Sequence, residues 1–355
     1  MKVALITDQH FGARNDSISF LDFYERFYDN TFFPVIDGNN IDTVLILGDT
    51  FDRRKFVNFF TLHRAKNMFF DKLAERNIKV YMLAGNHDTY FKNTNDVNSV
   101  RLLLREYSNI QIIDDPTTIF VGEQQHAICM IPWICAENYD DCFKEINDTP
   151  STLCMGHFEI AGFAMYKGME SHEGLSKDSF SKFEHVFSGH YHHRSSDGHI
   201  TYLGNPYELT WSDYNDPRGF HIFDLHDRTL TFIENPYRMF HKLHYNDKDK
   251  TYEQVVDVNI DQYKDAFIKV IVHEKNNPYW FDLLIERLEK LGISGIQVVD
   301  DNLNLNLEDD EEIINQAEDM VTMLNKYVDS MDTNVDKKDV YKLMTTLYNE
   351  ALSVE

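Results

Sequence analysis

The sequence predicts an α/β fold in which helices flank a sheet, followed by a smaller α/β unit and a helical tail. Three observations carry this: short apolar runs alternate with helical patterns early on, apolar runs crowd together before residue 240, and the texture turns polar around residues 241–262.

Residues 3–7, 44–47 and 80–84 are apolar runs of strand length, and residues 58–76 carry apolar positions at helical spacing. Strands separated by helices of that length need crossover connections, which lay helices on the faces of a sheet. Further runs lie at 127–131, 153–155 and 186–187, and those at 200–203, 220–225 and 230–233 are close enough to form an antiparallel, hairpin-rich continuation. After the polar stretch come a strand at 267–272, an amphipathic helix from Pro278 to about Gly292 and a strand at 296–299. An acidic run, 308–312, precedes two apolar stripes at helical spacing, one across 313–328 and one across 340–351. The expected domains are 1–250, 251–305 and a helical tail, 306–355.

The chain has 355 residues, 34 Lys plus Arg and 59 Asp plus Glu, a formal net charge of -25. That balance speaks against a nucleic-acid binder of the usual kind, because phosphate contacts are normally made by clustered Lys and Arg. Cys129, Cys135, Cys142 and Cys154 form no CxxC pair and read as buried reduced thiols. The N-terminal apolar run is too short for a signal peptide and no window has the apolar length of a membrane span, so a cytoplasmic protein is expected.

The chemistry lies where the strands end. Five runs finish in Gly or Thr followed by residues able to bind metal: VALITDQH (Asp8, His10), VLILGDTFD (Asp49, Asp52), VYMLAGNHD (Asn86, His87, Asp88), STLCMGH (His157) and HVFSGHYHH (His190, His192, His193). Reactive groups in α/β folds collect beyond the carboxyl ends of the strands, where loops converge. Gly48, Gly85, Gly156 and Gly189 suit sharp exits there because glycine takes positive φ without steric cost. The pairs Asp8-x-His10 and His190-x-His192 would each point to one side of an extended strand end. Imidazole, carboxylate and carboxamide together suit Mn, Fe or Zn. Two such ions about 3.5–4 Å apart, bridged by a carboxylate, can clamp a phosphoryl group during in-line displacement. Singly, each residue has an ordinary alternative as a surface histidine, turn aspartate or capping asparagine. Their ordered recurrence at five strand ends is what points to a metal centre.

Across residues 8–192 the ordered motifs resemble those of the calcineurin-like metallophosphoesterases. DxHxG (Asp8 to Gly12), GDTFD, GNHD and GHYHH resemble the SbcD nuclease branch. PTTIF at 116, IPWICAEN at 131, YKGMESH at 166 and NDPRGF at 215 resemble its recombination-nuclease members from T-even-type bacteriophages. The resemblance implies a two-sheet sandwich flanked by helices, with a small α/β capping domain and the helical tail. It implies a Mn-dependent DNA exonuclease and endonuclease acting in recombination and double-strand-break processing. One ion would be held by Asp8, His10, Asp49 and His192, and the other by Asp49, Asn86, His157 and His190. His87 would not be a ligand but would assist departure of the 3′ oxygen. Thr7 stands where many members have glycine. The alternative substrate on the same centre is a small phosphodiester or phosphoprotein, although GDTFD departs from the arginine-containing GDxVDRG of the phosphatases.

The resemblance also implies partners. Residues 300–355 hold 15 acidic residues and 4 Lys, nearly half the acidic excess. Members of the SbcD branch grip the coiled coil of an SMC-like ATPase with two C-terminal helices, so residues 310–353 are expected to bind such a partner. The family dimerises through helices matching 58–76 and 95–106, and residues 56–73 hold more apolar side chains than one stripe can bury, so a homodimer is expected. Arg53, Arg54 and Lys55 are candidate contacts to the DNA backbone. Asp52 and Asp88 are read as orienting a histidine or as turn residues, and His193 as facing solvent.

Overall fold

The computed structural model describes residues 1–166, 169–172, 174–300 and 340. Val340 aside, the expected tail helices and the partner-binding segment 310–353 lie outside the described residues. The strands are β1 (Lys2–Ile6), β2 (Thr43–Ile46), β3 (Lys79–Leu83), β4 (Ile110–Ile113), β5 (Thr117–Val121), β6 (His126–Ile131), β7 (Leu153–His157), β8 (Ala164–Tyr166) and β9 (Met169–Glu170). They continue with β10 (His185–Gly189), β11 (Ser195–Ser196), β12 (Ile200–Tyr202), β13 (Gly219–Asp224), β14 (Thr229–Glu234), β15 (Phe240–Asn246), β16 (Phe267–Glu274) and β17 (Gly295–Asp300).

Two six-stranded mixed sheets form the sandwich, ordered β14-β13-β1-β2-β3-β4 and β11-β12-β10-β7-β6-β5. Each has a parallel run, β1 to β4 in the first with antiparallel β13 and β14 on the β1 side only, and β6, β7, β10 and β12 in the second with antiparallel β5 and β11 at its two edges. Alternation along the strands divides the core. Val3, Leu5, Leu45, Leu47 and Leu83 meet Met130, Met155 and Phe187 between the sheets. Ala4, Ile6, Val44, Ile46 and Met82 face helices that carry Tyr24, Phe27, Phe32, Phe69 and Phe70. A strand buried on both faces reads as a continuous apolar run, which is why these were legible as strands. Outside the second sheet, Cys129, Cys142 and Cys154 pack with Ile146 and Phe180, and all four cysteines are free and buried.

Two expectations need correction. Residues 200–203 were expected to continue into one antiparallel unit with 220–225 and 230–233; β12 does pair antiparallel with the short β11, but it joins the second sheet beside parallel β10, whereas β13 and β14 form a hairpin in the first. The small α/β unit begins before residue 251, because β15 pairs in parallel with β16 and the sheet order is β15-β16-β17. Its helix, Pro278–Leu291, starts with Asn277 accepting from the Trp280 N–H and Pro at its first turn, and stops at left-handed Gly292. No helix among the described residues is long and apolar enough to cross a membrane.

Candidate metal centre

Both sheets deliver side chains to one place because the carboxyl ends of their parallel strands share it. Asp8 and His10 follow β1, Asp49 follows β2, Asn86 and His87 follow β3, His157 ends β7, and His190 and His192 follow β10. Asp8, His10 and His192 bring one donor atom each within 4.8 Å of one another, and so do Asp49, His157 and His190. His10 Nε2 lies 3.0 Å from His192 Nε2. Asn86 Oδ1 lies 2.9 Å from His157 Nε2 and 3.0 Å from His190 Nδ1. Asp49 stands between the groups: its Oδ2 is 3.8 Å from His10 Nε2 and 3.4 Å from His157 Nε2, while Oδ1 accepts the His87 backbone N–H at 2.8 Å.

Convergence depends on backbone conformations that side chains resist. Asp8 (φ 51°), His10 (φ 45°), Asp49 (φ 50°) and His190 (φ 86°) all lie in the left-handed region, a concentration of strain of the kind found at functional sites. The pairs Asp8/His10 and His190/His192 therefore converge through tight turns, not by the alternation of an extended strand end. Three of the four glycines also act differently from expectation. Of the four, only Gly48 has a positive φ, 99°. A Cβ on Gly85 would come within 2.3 Å of the Asp49 backbone N, and one on Gly189 within 2.1 Å of Thr7 Oγ1 and 2.9 Å of Asp8 Oδ2. At those positions glycine is needed for space. Thr7 in turn donates to Asp8 Oδ2 at 2.7 Å and steadies it.

The donor set fits divalent cations. Asp8 and Asp49 are buried, and among the described residues their ion pairs run only to His10, His157 and His192, with no Lys or Arg. Separations of 3–4 Å between donors suit adjacent positions around an ion held at about 2.0–2.2 Å. The local field is steep. Burial alone would lower the His10 and His157 pKa values, yet the surrounding carboxylates raise both to about 9. His190 is pushed down to about 3 by burial and by charge on His157, and His192 falls well below the usual range by burial and by His10. Burial pushes the Asp8 carboxyl up, whereas the histidines around Asp49 overcome its burial and hold it well below the usual carboxylate range.

The neighbours divide by role. His87 Nδ1 is 2.6 Å from the Asp52 carbonyl oxygen, so Nδ1 is the donor and Nε2 is left available; its ring lies edge-on to His10 with centroids 4.9 Å apart. The Asp52 carboxylate sits 3.4 Å from His10 Nδ1 and orients that ring. Asp88 braces the loops, accepting the N–H groups of Thr50, Phe51 and Gly85. Burial and Asp49 raise its pKa to about 6. His193 does not face solvent as expected: its Nδ1 is 2.7 Å from Asp216 Oδ2. Arg53 is paired with Asp16 at 3.1 Å, Lys55 is exposed, and half-buried Arg54 feels the charge of Asp49. Sequence reasoning missed Trp133, whose ring centroid lies 5.2 Å from that of His190. An indole is not a ligand type, so nothing in IPWICAEN signalled it.

The calcineurin-like phosphoesterase family matches residues 1–194. Over 317 residues the chain is 32% identical to exonuclease subunit 1 of Enterobacteria phage T4, covering 88% of each protein. It is 26% identical over 278 residues to the DNA double-strand break repair protein Mre11 of Methanocaldococcus jannaschii, covering 73% of this chain and 72% of that one. It is 22% identical over 323 residues to the D component of the SbcCD nuclease of Staphylococcus epidermidis, covering 80% of this chain and 79% of that one.

Proposed function

The chain belongs to the calcineurin-like phosphoesterase family and is a metal-dependent phosphodiesterase; from that premise we propose that it is a DNA nuclease, both exonuclease and endonuclease, of a recombination and break-processing complex. The observation that carries the reading is the single Asp49 carboxylate standing between two donor groups, with His87 beside them. The names of the relatives, all enzymes or repair proteins of nucleic acid, support DNA over a small phosphodiester.

Asp8, His10, Asp49 and His192 would hold one divalent ion, and Asp49, Asn86, His157 and His190 the other, with Mn first and Mg, Fe and Zn as competitors. Bound there, two cations supply the Lewis acidity that phosphoryl transfer requires. The chain's own contributions follow from its geometry. Braced by Asp88, the loops fix Asp49 and Asn86 relative to one another. The Asp52 carbonyl holds His87 through Nδ1, so that Nε2 is the atom left to serve the departing 3′ oxygen. Arg54 adds charge for the flanking phosphate. A homodimer is supported by Phe59, 89% exposed, together with exposed Phe60 and Leu102 on the two helical segments expected at the interface and exposed Phe56 just before the first of them. Residues 310–353 would bind the SMC-like ATPase. Deleting them should abolish co-purification with the ATPase and spare nuclease activity; retained association would defeat that assignment.

Asp49→Asn and His87→Ala should each remove Mn-dependent cleavage of duplex ends while circular dichroism shows the fold intact. Undiminished cleavage by either purified variant would overturn the mechanism.

A further inference from the structure

Beside the metal centre lies a cleft of about 470 Å³ that the phosphodiester chemistry does not use. His157 is shared between the two, so the cleft opens directly off the proposed reaction centre. Its apolar surfaces come from Trp133, Ile134 and Phe158, Tyr139 stands at its rim, and Asp140 and Glu159 add carboxylates. Among the described residues, no Lys or Arg lines it. That composition rejects a phosphate, which would meet two carboxylates and no cation. It suits a flat, neutral, aromatic group carrying N–H donors, which can stack on an indole and hydrogen-bond to a carboxylate. The volume falls within the range of small-molecule sites.

The platform is built in advance. The Trp133 backbone N–H donates to the Ala84 carbonyl at 2.9 Å, and the Trp133 carbonyl accepts from the side chains of Asn95 at 2.8 Å and Asn138 at 3.0 Å. The first of these bonds ties the residue to the end of β3, after which Asn86 and His87 follow, and the other two fix its carbonyl. The indole ring centroid lies 5.2 Å from that of His190 at a 40° tilt, and the same residue lines the cleft, so Trp133 borders both sites.

We propose that this cleft receives an unpaired nucleobase of the nucleotide flanking the cleaved phosphodiester, stacked on Trp133 and hydrogen-bonded to Asp140 or Glu159. The inference rests on the nuclease reading and deepens it. A base can enter only after leaving its stack, so the substrate is a frayed end or a single strand, and intact internal duplex must be unpaired first. It also accounts for binding by a strongly acidic chain, since stacking on an aromatic platform does not depend on positive charge.

The test places an abasic residue on either side of the cleaved bond in a short single-stranded oligonucleotide and measures kcat and KM with Mn. Wild type should lose about tenfold to hundredfold in kcat/KM at one of the two positions, mostly through KM, on the scale of one stacked base. In Trp133→Ala the natural and abasic oligonucleotides should become nearly equivalent, and Trp133→Phe should restore most of the difference. A second readout is 2-aminopurine at the same position, with Ca in place of Mn. Its emission should be quenched on binding to wild type and not on binding to Trp133→Ala. Equal cleavage of natural and abasic oligonucleotides by wild type would overturn the inference and leave the nuclease reading standing. No cleavage of either would defeat the nuclease reading itself. Should Trp133→Ala fail to fold, the abasic comparison in wild type and the rim variant Tyr139→Ala still decide the matter.

Discussion

Glu208 offers a sharp test of the electrostatics because its surroundings are simple. It is 1% exposed, and its Oε2 accepts the backbone N–H groups of Met239 and Phe240, at the start of β15, while Oε1 has no partner. Burial raises its pKa from 4.5 to about 7, against the lowering effect of the two N–H groups. A carboxyl that is less acidic in the folded chain holds its proton better there, so its contribution to stability is complete below pH 4.5 and lost as pH rises through 7. Working the linkage for this one group gives a loss of about 1 kcal/mol at pH 5 and about 3 kcal/mol at pH 7.5. Glu208→Gln mimics the protonated form and removes the titration. Urea unfolding of both proteins at pH 5 and pH 7.5 should show the variant gaining about 2 kcal/mol on wild type between the two conditions. Subtraction cancels the other carboxylates. A pH-independent difference, or a variant that loses ground as pH rises, would refute the reasoning.

Other expectations are more direct. Asp88→Ala strands the buried N–H groups of Thr50, Phe51 and Gly85, which should cost about 3 kcal/mol or more in denaturant unfolding. It should also weaken metal binding measured by calorimetry. Mn at about a hundred times its Kd should stabilise the protein by about 3 kcal/mol and raise Tm, with EDTA reversing the effect, and Asp49→Asn should lose most of this shift. Phe59→Glu should give a monomer in sedimentation at micromolar concentration with little change in unfolding midpoint, because the wild-type side chain is almost wholly exposed.

The candidate metal centre was legible because metal-binding chemistry admits few residue types and the fold delivers them at strand ends. Asp8, His10, Asp49, Asn86, His157, His190 and His192 stand together in space at the ends of the runs that announced them. How they converge was hidden, since left-handed φ angles fall on Asp and His, where only glycine would have signalled them. The helix Pro278–Leu291 was readable from its apolar spacing, with Pro at its start and Gly292 after its end. By contrast, β12 has three residues, too few for a pattern to say which strand it joins or in which direction. β15 was hidden for another reason. It is an edge strand with half-exposed His241, Lys242 and Leu243, so its texture resembles a linker until its partner β16 is seen. Glu208 and Trp133 carry no motif, and their roles arise from neighbours far away in the chain.

The net charge of -25 takes on a more specific meaning in three dimensions. Many of the cations in the described residues are already committed: Arg26 to Asp265, Arg64 to Asp22 and Glu25, Lys66 to Glu106, Arg76 to Asp37 and Lys177 to Asp197. Each such pair removes a charge that could have met a phosphate, so the surface offers DNA little general attraction. At the strand ends the pattern reverses, because buried Asp8 and Asp49 are paired with histidines alone and call for cations from solution. On the proposed reading, positive charge is concentrated at the one place where a phosphodiester must be cleaved. The apolar cleft beside it takes a base without adding charge. On the same reading, a strand would be held weakly along such a surface and more firmly at a frayed end over the bound cations, so that an acidic surface would favour processing of ends over unproductive binding along the duplex.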